Sequence, residues 1–570
     1  MPIQNAEIAA IFDQTAELLE IQGGNPFRAR AYRRAARTIE NLPRSVVSLL
    51  AAGEELSELP GIGKDLAGKI AKIVSSGRFD VLQALKRKLP GELVAMAELP
   101  GLGPKRVKLL YDRMHIRKLE DLRRAAEAGK LSELRGFGEK MEQKILAALS
   151  KATRTQKRFK LSEAEAEATS LLDYLHLAAG DIAVAGSFRR RRETVGDLDI
   201  VATGRQLDAL GDRLVKYESV AEVAAHGPTR TTVILRSGLQ VDLRVVPAES
   251  FGAALLYFTG SKAHNIALRG LANDRGWKLN EYGLYDGMRR LAGKTEAEVY
   301  ARLGLDYVPP ELREDRGEVD LAREHRLPKL VDTSDIRGDL HAHTNWSDGV
   351  ASIAEMAAAA KERGYEYLAI TDHSRHVTIA HGLDASRLAQ QIDEIDRVNE
   401  TLAGIALLKG TEVDILADGR LDLSNSILSR LDIVVAAVHY KFDLSRKAQT
   451  ERIIRAMDNP HVNIIAHPTG RLLGKREPHK VDMERLIAAA KERNCCLEIN
   501  AEPSRLDLND VHAHAAKAAG LKLAVSTDAH TTHELGYMRY GIDQARRAWL
   551  EAGDVVNTRP LAKLKKLLKR

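Results

Sequence analysis

The chain has 570 residues, a formal net charge of +7 and one pair of cysteines, the neighbours Cys495 and Cys496. Such a length calls for several domains, and adjacent thiols exclude the disulfide framework of a small secreted scaffold, so a reducing cytosol is expected. The opening residues carry no basic segment leading into an apolar stretch and no long uncharged apolar run follows, so no membrane partner is expected; the positive balance, with a pI near 9.1, suits a polyanionic partner.

From Asn5 to about Ser150, apolar residues recur at three- and four-residue spacing with breaks at Gly and Pro, the pattern of short packed helices. Within it Leu59-Pro60-Gly61-Ile62-Gly63 runs into Lys64, Leu99-Pro100-Gly101-Leu102-Gly103 into Pro104, and Leu134-Arg135-Gly136-Phe137-Gly138 into Glu139. Each is a tight glycine turn from which a helix starts at once. The free N–H groups of such a start receive a phosphate, a contact that reads backbone and not bases. The repeats resemble the helix-hairpin-helix motif, which implies DNA contacts at Gly61, Gly63, Lys64, Gly101 and Gly103; the third copy lacks the proline and reads equally as a packing turn. Phe27 to Arg34 is a basic amphipathic helix with interleaved aromatics, and beside a phosphate-binding hairpin Arg28 and Tyr32 read as a 5′-end pocket. The division expected is a lyase-like, 5′-end-binding helical domain over 1–85 and a second DNA-binding helical domain over 86–150.

After a basic junction and a Glu- and Ala-rich helix, the text from Ile182 to Val201 reads as an apolar strand, a Gly186-Ser187 turn, an arginine run and a second apolar strand carrying Gly196-Asp197-Leu198-Asp199. Side chains alternate along a strand, so Asp197 and Asp199 share a face, where two like charges call for a cation between them. A divalent metal carrying phosphate oxygens is the economical partner, and Asp242 supplies a third carboxylate on another strand-like run. Gly186 and Ser187 would then hold a triphosphate by backbone and hydroxyl, with Arg190 as counter-charge. Gly-Ser-Phe-Arg-Arg followed by Gly-Asp-Leu-Asp resembles the palm of the family X DNA polymerases, within the nucleotidyltransferase superfamily.

That resemblance implies a palm over 151–250 with Mg²⁺ or Mn²⁺ on Asp197, Asp199 and Asp242, and dNTP contacts at Gly186, Ser187, Arg190 and Gly196. It continues through Leu255-Leu256-Tyr257-Phe258-Thr259-Gly260-Ser261 into a helix with Asn265 and Arg269. This implies a dNTP and nascent-pair subdomain over 251–315, contacting substrate through Tyr257, Phe258, Gly260, Asn265 and Arg269. In family X lyase domains a helix after the first hairpin carries a Schiff-base lysine, and Lys69 falls at that place. The chemistry needs a neutral amine, and Asp65, where the family often has a basic phosphate ligand, would raise a nearby lysine's pKa.

A charged stretch over 316–338 reads as a linker. Beyond it apolar strands end in candidate ligands: His341, His343 and then Asp348, His373, Glu412, His439, His467, and Asp528 with His530. Helical segments lie between them, as in a barrel whose strand ends converge on one face. Thiolates are absent from the set, and mixed imidazole and carboxylate suits Zn, Mn or Fe. The ensemble resembles the polymerase and histidinol phosphatase (PHP) domain, a phosphoesterase family. This implies a (β/α)7-like barrel over 339–570 in which those nine residues hold up to three ions, Mn²⁺, Zn²⁺ or Fe²⁺. His376, His381, His512 and His514 fall outside the motifs, as ordinary surface or neighbouring residues.

The fold class expected is multidomain α and α/β: helical hairpin domains, a nucleotidyltransferase palm with a mixed sheet, and the C-terminal barrel. The function expected is a bacterial-type family X DNA polymerase filling short gaps in base excision repair. Its PHP domain would add 3′-5′ exonuclease and, as an option, AP endonuclease activity. It would act as a monomer on gapped or primer–template DNA and dNTPs, in the cytoplasm at the nucleoid. Two other classes compete. A nucleotidyltransferase acting on RNA or a small molecule is opposed by the tandem hairpins and the Tyr257 to Arg269 segment, and a DNA-binding scaffold with dead sites by the intact carboxylates and histidines.

Overall fold

The fold is that of a computed structural model, which describes residues 5–569 apart from 41, 43, 91, 98, 100–101, 135, 153–157, 177–178 and 205–208. The chain divides into two units, Met1–Lys157 and Arg158–Arg570. Among the described residues no helix is long and apolar enough to cross a membrane.

The first unit is helical. Helix Pro26–Glu40 buries Ala29, Tyr32, Ala36 and Ile39, one stripe at helical spacing, and leaves its arginines on the other face. Tyr32 packs against Phe12 and Phe79 with ring centroids 5.2 and 5.9 Å away. Helix Lys64–Ser76 starts directly after Gly63 and closes on Gly77, whose left-handed backbone lets its N–H reach Ile73 O. Helix Pro104–Met114 starts after Gly103 with proline in its first turn, where a missing N–H costs nothing. The third hairpin is closed by its own helix: Glu142 Oε2 accepts from Leu131 and Ser132 N–H at 2.7 and 3.0 Å.

The second unit opens on a mixed five-stranded sheet: β1 (Ile182–Val184), β2 (Asp197–Ala202), β3 (Val220–His226), β4 (Arg230–Leu235) and β5 (Gln240–Val245), in the order β1-β2-β5-β4-β3. Only β2 and β5 run parallel, with Asp199 opposite Asp242. Leu198, Ile200 and Ala202 face a core shared with Ala168, Leu171 and Leu175 of helix Leu161–His176. The two-residue period therefore turns Asp197 and Asp199 to the opposite face. Helices Phe251–Thr259 and Lys262–Asn273 follow, then an antiparallel ribbon of β6 (Lys278–Asn280), β7 (Gly283–Asp286) and β8 (Arg289–Ala292).

The stretch read as a linker is packed. It holds helix Glu318–Arg323, and fully buried Glu318 meets the His264 ring at 2.6 Å and accepts from Asp315 and Arg316 N–H. A carboxylate there needs those partners to offset its lost hydration.

Seven parallel strands then follow in sequential order: β9 (Gly338–Asp339), β10 (Tyr367–Ile370), β11 (Ala406–Asp414), β12 (Ile433–Ala437), β13 (Ile464–Ile465), β14 (Cys496–Asn500) and β15 (Leu523–Ser526). Just past β9 and β15 an Ala342–Ala529 bridge draws the two ends together, with Asp528 N–H on His341 O and His343 N–H on Ala529 O. The result is a nearly closed (β/α)7-like barrel. Tyr367 and Ala369 share a core with Leu564 and Leu568 of helix Leu561–Leu568, whereas Leu368 and Ile370 face the surrounding helices. Several of those helices open on capping side chains, Ser352, Asp384, Ser445, Asp482 and Asn509, each accepting from a first-turn N–H.

Candidate active sites

The palm carboxylates lie together on the strand pair β2 and β5. Asp242 is fixed from three sides: Thr232 and Arg230 on β4 donate to Oδ1 at 2.6 and 3.0 Å, and Gln240 donates to Oδ2 at 2.6 Å. Burial, then the charges of Asp197 and Asp242, push the Asp199 carboxyl up to about 7, and burial with Asp242 raises Asp197 as well. The three acids thus form a site that is short of positive charge. Oxygen donors of this kind suit a hard divalent cation such as Mg²⁺ or Mn²⁺.

Gly186, at φ +64°, starts a one-turn helix (Gly186–Arg189) directly over this site. A Cβ there would meet Asp199 Oδ2 at 2.4 Å, so only glycine allows the loop to come so close. Ser187 is the next residue of that turn, and Gly196 immediately precedes Asp197. Arg190 is bound to Glu314 at 3.2 Å and to the Thr259 carbonyl, while its charge still acts on Asp199. Tyr257, Asn265 and Arg269 line one cleft with Leu279 and Asn280; Asn265 Nδ2 donates to Tyr257 O at 2.7 Å. Phe258 lies edge-on to Tyr257, with centroids 5.1 Å apart, and Gly260, at φ +70°, brings the chain past Arg190.

At the barrel mouth the candidate ligands form three groups: His343, Asp348, His373 and His530; His341, His343 and Asp528; and His373, Glu412 and His439. His467 lies outside these groups but places Nε2 3.0 Å from Glu412 Oε1. Burial opposes charge throughout the cluster, and the groups compensate one another. The rings of His373, His439 and His341 hold Glu412 well below the carboxylate range despite its burial, and Glu412 and Asp348 push His373 up to about 10 against its burial. His343, buried and flanked by His530 and His373, falls to about 3.

Buried ring nitrogens His341 Nε2, His343 Nδ1 and His467 Nδ1 have no hydrogen bond, while His373 Nδ1 and His439 Nε2 crowd the Glu412 carboxylate at 2.7 and 3.2 Å. Buried polar atoms are normally paired, so such a concentration calls for another partner. Borderline cations fit the donors. The opposite ring atoms are held: His341 Nδ1 is 2.8 Å from Glu498 Oε1, and His439 Nδ1 is 3.3 Å from Asp414 Oδ1. Such partners fix ring orientation for a metal. His467 at φ +29° and Asp528 at φ +56° lie in the left-handed region, a backbone strain that surrounding contacts must hold.

In the first unit, Arg28 and Lys64 are exposed, Gly61 at φ +77° lies against Arg34, and space is open around Gly63 and Gly103. Gly101 lies outside the described residues. Tyr32 is 2 % exposed, so it supports the hairpin face without being displayed on it. Lys69 Nζ lies 2.5 Å from Asp65 Oδ2; partial burial works to lower its pKa, but the Asp65 bond leads the effects that raise it.

Residues the motifs did not mark are Glu498, Asp414, Arg230 and Gln240, which orient ligands, and Asp339 and Asp372, which bind Thr527 and Thr344. An acid inside an otherwise apolar strand, as in Cys496-Leu497-Glu498-Ile499, was the available signal. His376 and His381 are exposed, His512 and His514 partly buried; His376 Nε2 is 3.8 Å from Asp414.

Four family models match the chain: a helix-hairpin-helix domain over 3–79, a SAM-like helix-hairpin-helix tandem over 93–151, the DNA polymerase beta thumb over 254–314 and the PHP domain over 339–502. Asp528 and His530 lie beyond the last match and still reach its cluster. The DNA polymerase lambda of Rattus norvegicus is 28 % identical over 54 % of the chain and 56 % of that protein. A probable phosphatase of Thermoanaerobacter is 31 % identical over 40 % of the chain and 94 % of that protein. The DNA polymerase/3′-5′ exonuclease PolX of Bacillus subtilis is 39 % identical over 99 % of both chains. With nearly the whole length of both chains matched at that identity, the chain belongs to the PolX family, the bacterial family X DNA polymerases with a C-terminal PHP domain.

Proposed function

We propose that the palm adds nucleotides to a primer 3′ end in short DNA gaps, and that the barrel removes nucleotides or blocking groups from 3′ ends. The observation that carries the first half is the β2–β5 register, which sets Asp199 opposite Asp242 beneath a glycine loop. The unpaired buried ring nitrogens carry the second. Helical segments 1–85 and 86–150 supply backbone contacts to DNA, 151–250 and 251–315 the polymerase site, and 339–570 the nuclease, joined by 316–338.

Asp197, Asp199 and Asp242 would hold Mg²⁺ or Mn²⁺, and the nine barrel residues Mn²⁺, Zn²⁺ or Fe²⁺. When bound, such ions supply Lewis-acid stabilisation of phosphoryl oxygens and a lowered pKa for the attacking oxygen. Thr232, Arg230 and Gln240 aim the Asp242 carboxylate. Gly186 brings the backbone and Ser187 hydroxyl of its loop to the triphosphate, and Arg190 adds positive charge. Tyr257, Asn265 and Arg269 form the wall against which the incoming sugar and base would be positioned. In the barrel, Glu498 and Asp414 keep the His341 and His439 rings turned so that Nε2 faces the substrate end. Repair of base lesions and cleavage at abasic sites extend this reading. Extension of a primer across a one-nucleotide gap, with cleavage of an abasic duplex measured beside it, tests both; a protein that adds nucleotides only to RNA or to a small molecule overturns the first half.

A further inference from the structure

The triphosphate loop is held by the barrel. Arg191, at φ +55°, is a non-glycine residue in the left-handed region, a backbone state that persists only where neighbours over-determine it. Its guanidinium donates to Asp543 Oδ2 at 2.7 Å, on barrel helix Met538–Arg547, and to Glu165 Oε1 at 3.1 Å. One residue earlier, the Arg190 carbonyl accepts from Arg547 at 2.7 Å. Arg547 is 2 % exposed and also meets Glu314 at 3.1 Å and Asp510 at 2.7 Å, so its charge is fully paired where it is buried. At the far end of the loop, the Glu193 carboxylate accepts from Arg471 Nη1 and Nη2 at 3.2 and 2.7 Å. Phe188 packs beside Leu506 and Tyr540. The loop that carries Gly186, Ser187 and Arg190 is thus fixed along its length by side chains of the nuclease domain.

We propose that Asp543 and Arg547 are positioning residues for nucleotide addition, through which the barrel keeps the palm's triphosphate loop in its binding conformation. The proposal rests on the polymerase reading of the palm. A loop held from outside loses alignment when the anchor goes, and misplaced charge-assisted contacts weaken substrate binding more than they alter the reacting carboxylates. Asp543 lies outside both metal sites, so its loss should spare the nuclease.

The test uses the full chain on a one-nucleotide-gapped duplex, with kcat and KM for the dNTP and 3′ resection read from the same preparations. Asp543→Asn should raise KM about tenfold with kcat within about threefold, the size expected for one lost charge-assisted anchor. Asp543→Glu should recover most of the affinity. Arg191→Gln, which also gives up Glu165, should raise KM at least as much from the palm side, and the double variant should be no worse than Arg191→Gln, because the Asp543 contact is already gone. Resection should stay within about twofold of wild type, since neither residue touches the barrel ligands. If Asp543→Asn loses resection through misfolding, Arg191→Gln decides alone. An unchanged KM in Arg191→Gln, or single effects that multiply in the double variant, overturns the proposal. Asp197→Ala runs alongside: if it still extends the primer, the polymerase reading fails, whatever Asp543 does.

Discussion

The palm and barrel sites gather acids at the ends of parallel strands, yet they balance charge in opposite ways. In the palm, burial and neighbouring like charge raise Asp197 and Asp199, and Asp199 stands near 7 because burial and two like charges oppose its ionisation. In the barrel, imidazoles are interleaved with acids, so Glu412 and Asp528 are held well below the carboxylate range. On the proposed reading the palm would be completed by cations, while the barrel's acids are compensated in advance by its own imidazoles. The same element, a carboxylate on a strand, thus stands in opposite electrostatic settings according to the residues beside it.

Neutralising one acid in each site should separate the two most strongly. Asp199→Asn should lower nucleotide addition by about a thousandfold or more, as loss of a metal ligand does, and yet raise the unfolding temperature of metal-free protein at pH 8. The sign follows from linkage: a carboxyl raised in the folded state costs stability above its unfolded pKa, and that cost is complete above about pH 7. Glu412→Gln should abolish resection but destabilise the metal-free protein, by on the order of 3 kcal/mol, because it leaves buried rings without their acid. Activity assays with thermal unfolding in chelator read both, and equal signs for the two stability changes would defeat the contrast.

A smaller effect concerns pH. Below about 7 a proton competes with metal for Asp199, so Mn²⁺ affinity at the palm should tighten about tenfold from pH 6 to pH 8, while an Asp199→Asn protein should lose that dependence. The difference between Mn²⁺ titrations of wild type and Asp199→Asn, which share an intact barrel, isolates the palm contribution. Smaller again is the expected change at Lys69. Since Asp65 holds its amine protonated, Asp65→Asn should increase borohydride trapping on a 5′-deoxyribose-phosphate end about fivefold, and absence of any Lys69-dependent adduct in both proteins removes the lyase role. The smallest concerns the hairpins. Gly63 has φ −81° and open space around it, so Gly63→Val should leave folding intact but weaken gapped-DNA binding about threefold by obstructing a phosphate.

Much of the two sites could be read from the chain because period and position carry it. Alternation alone places Asp197 and Asp199 on one face, and successive apolar strands ending in His, Asp or Glu mark a barrel mouth. The partners that orient these residues were not legible. Glu498 and His341, or Arg547 and the Arg190 carbonyl, are brought together only by the closed sheet and the packing of barrel on palm, and no local pattern encodes such distances. Tyr32 shows a different limit: its basic neighbours suggest a displayed residue, but its spacing with Ala29, Ala36 and Ile39 places it on the buried stripe. The packed state of 316–338 was likewise hidden, since charge and proline describe a free linker as well as a strap pinned by a buried His264–Glu318 pair.

On the proposed function, one chain holds two chemically separate sites for opposite reactions at a DNA 3′ end. The most direct test measures gap filling and 3′ resection in the same preparations of wild type, Asp197→Ala and His341→Ala. The structure predicts reciprocal loss, Asp197→Ala keeping only resection and His341→Ala keeping only addition; loss of both activities in either variant would contradict it.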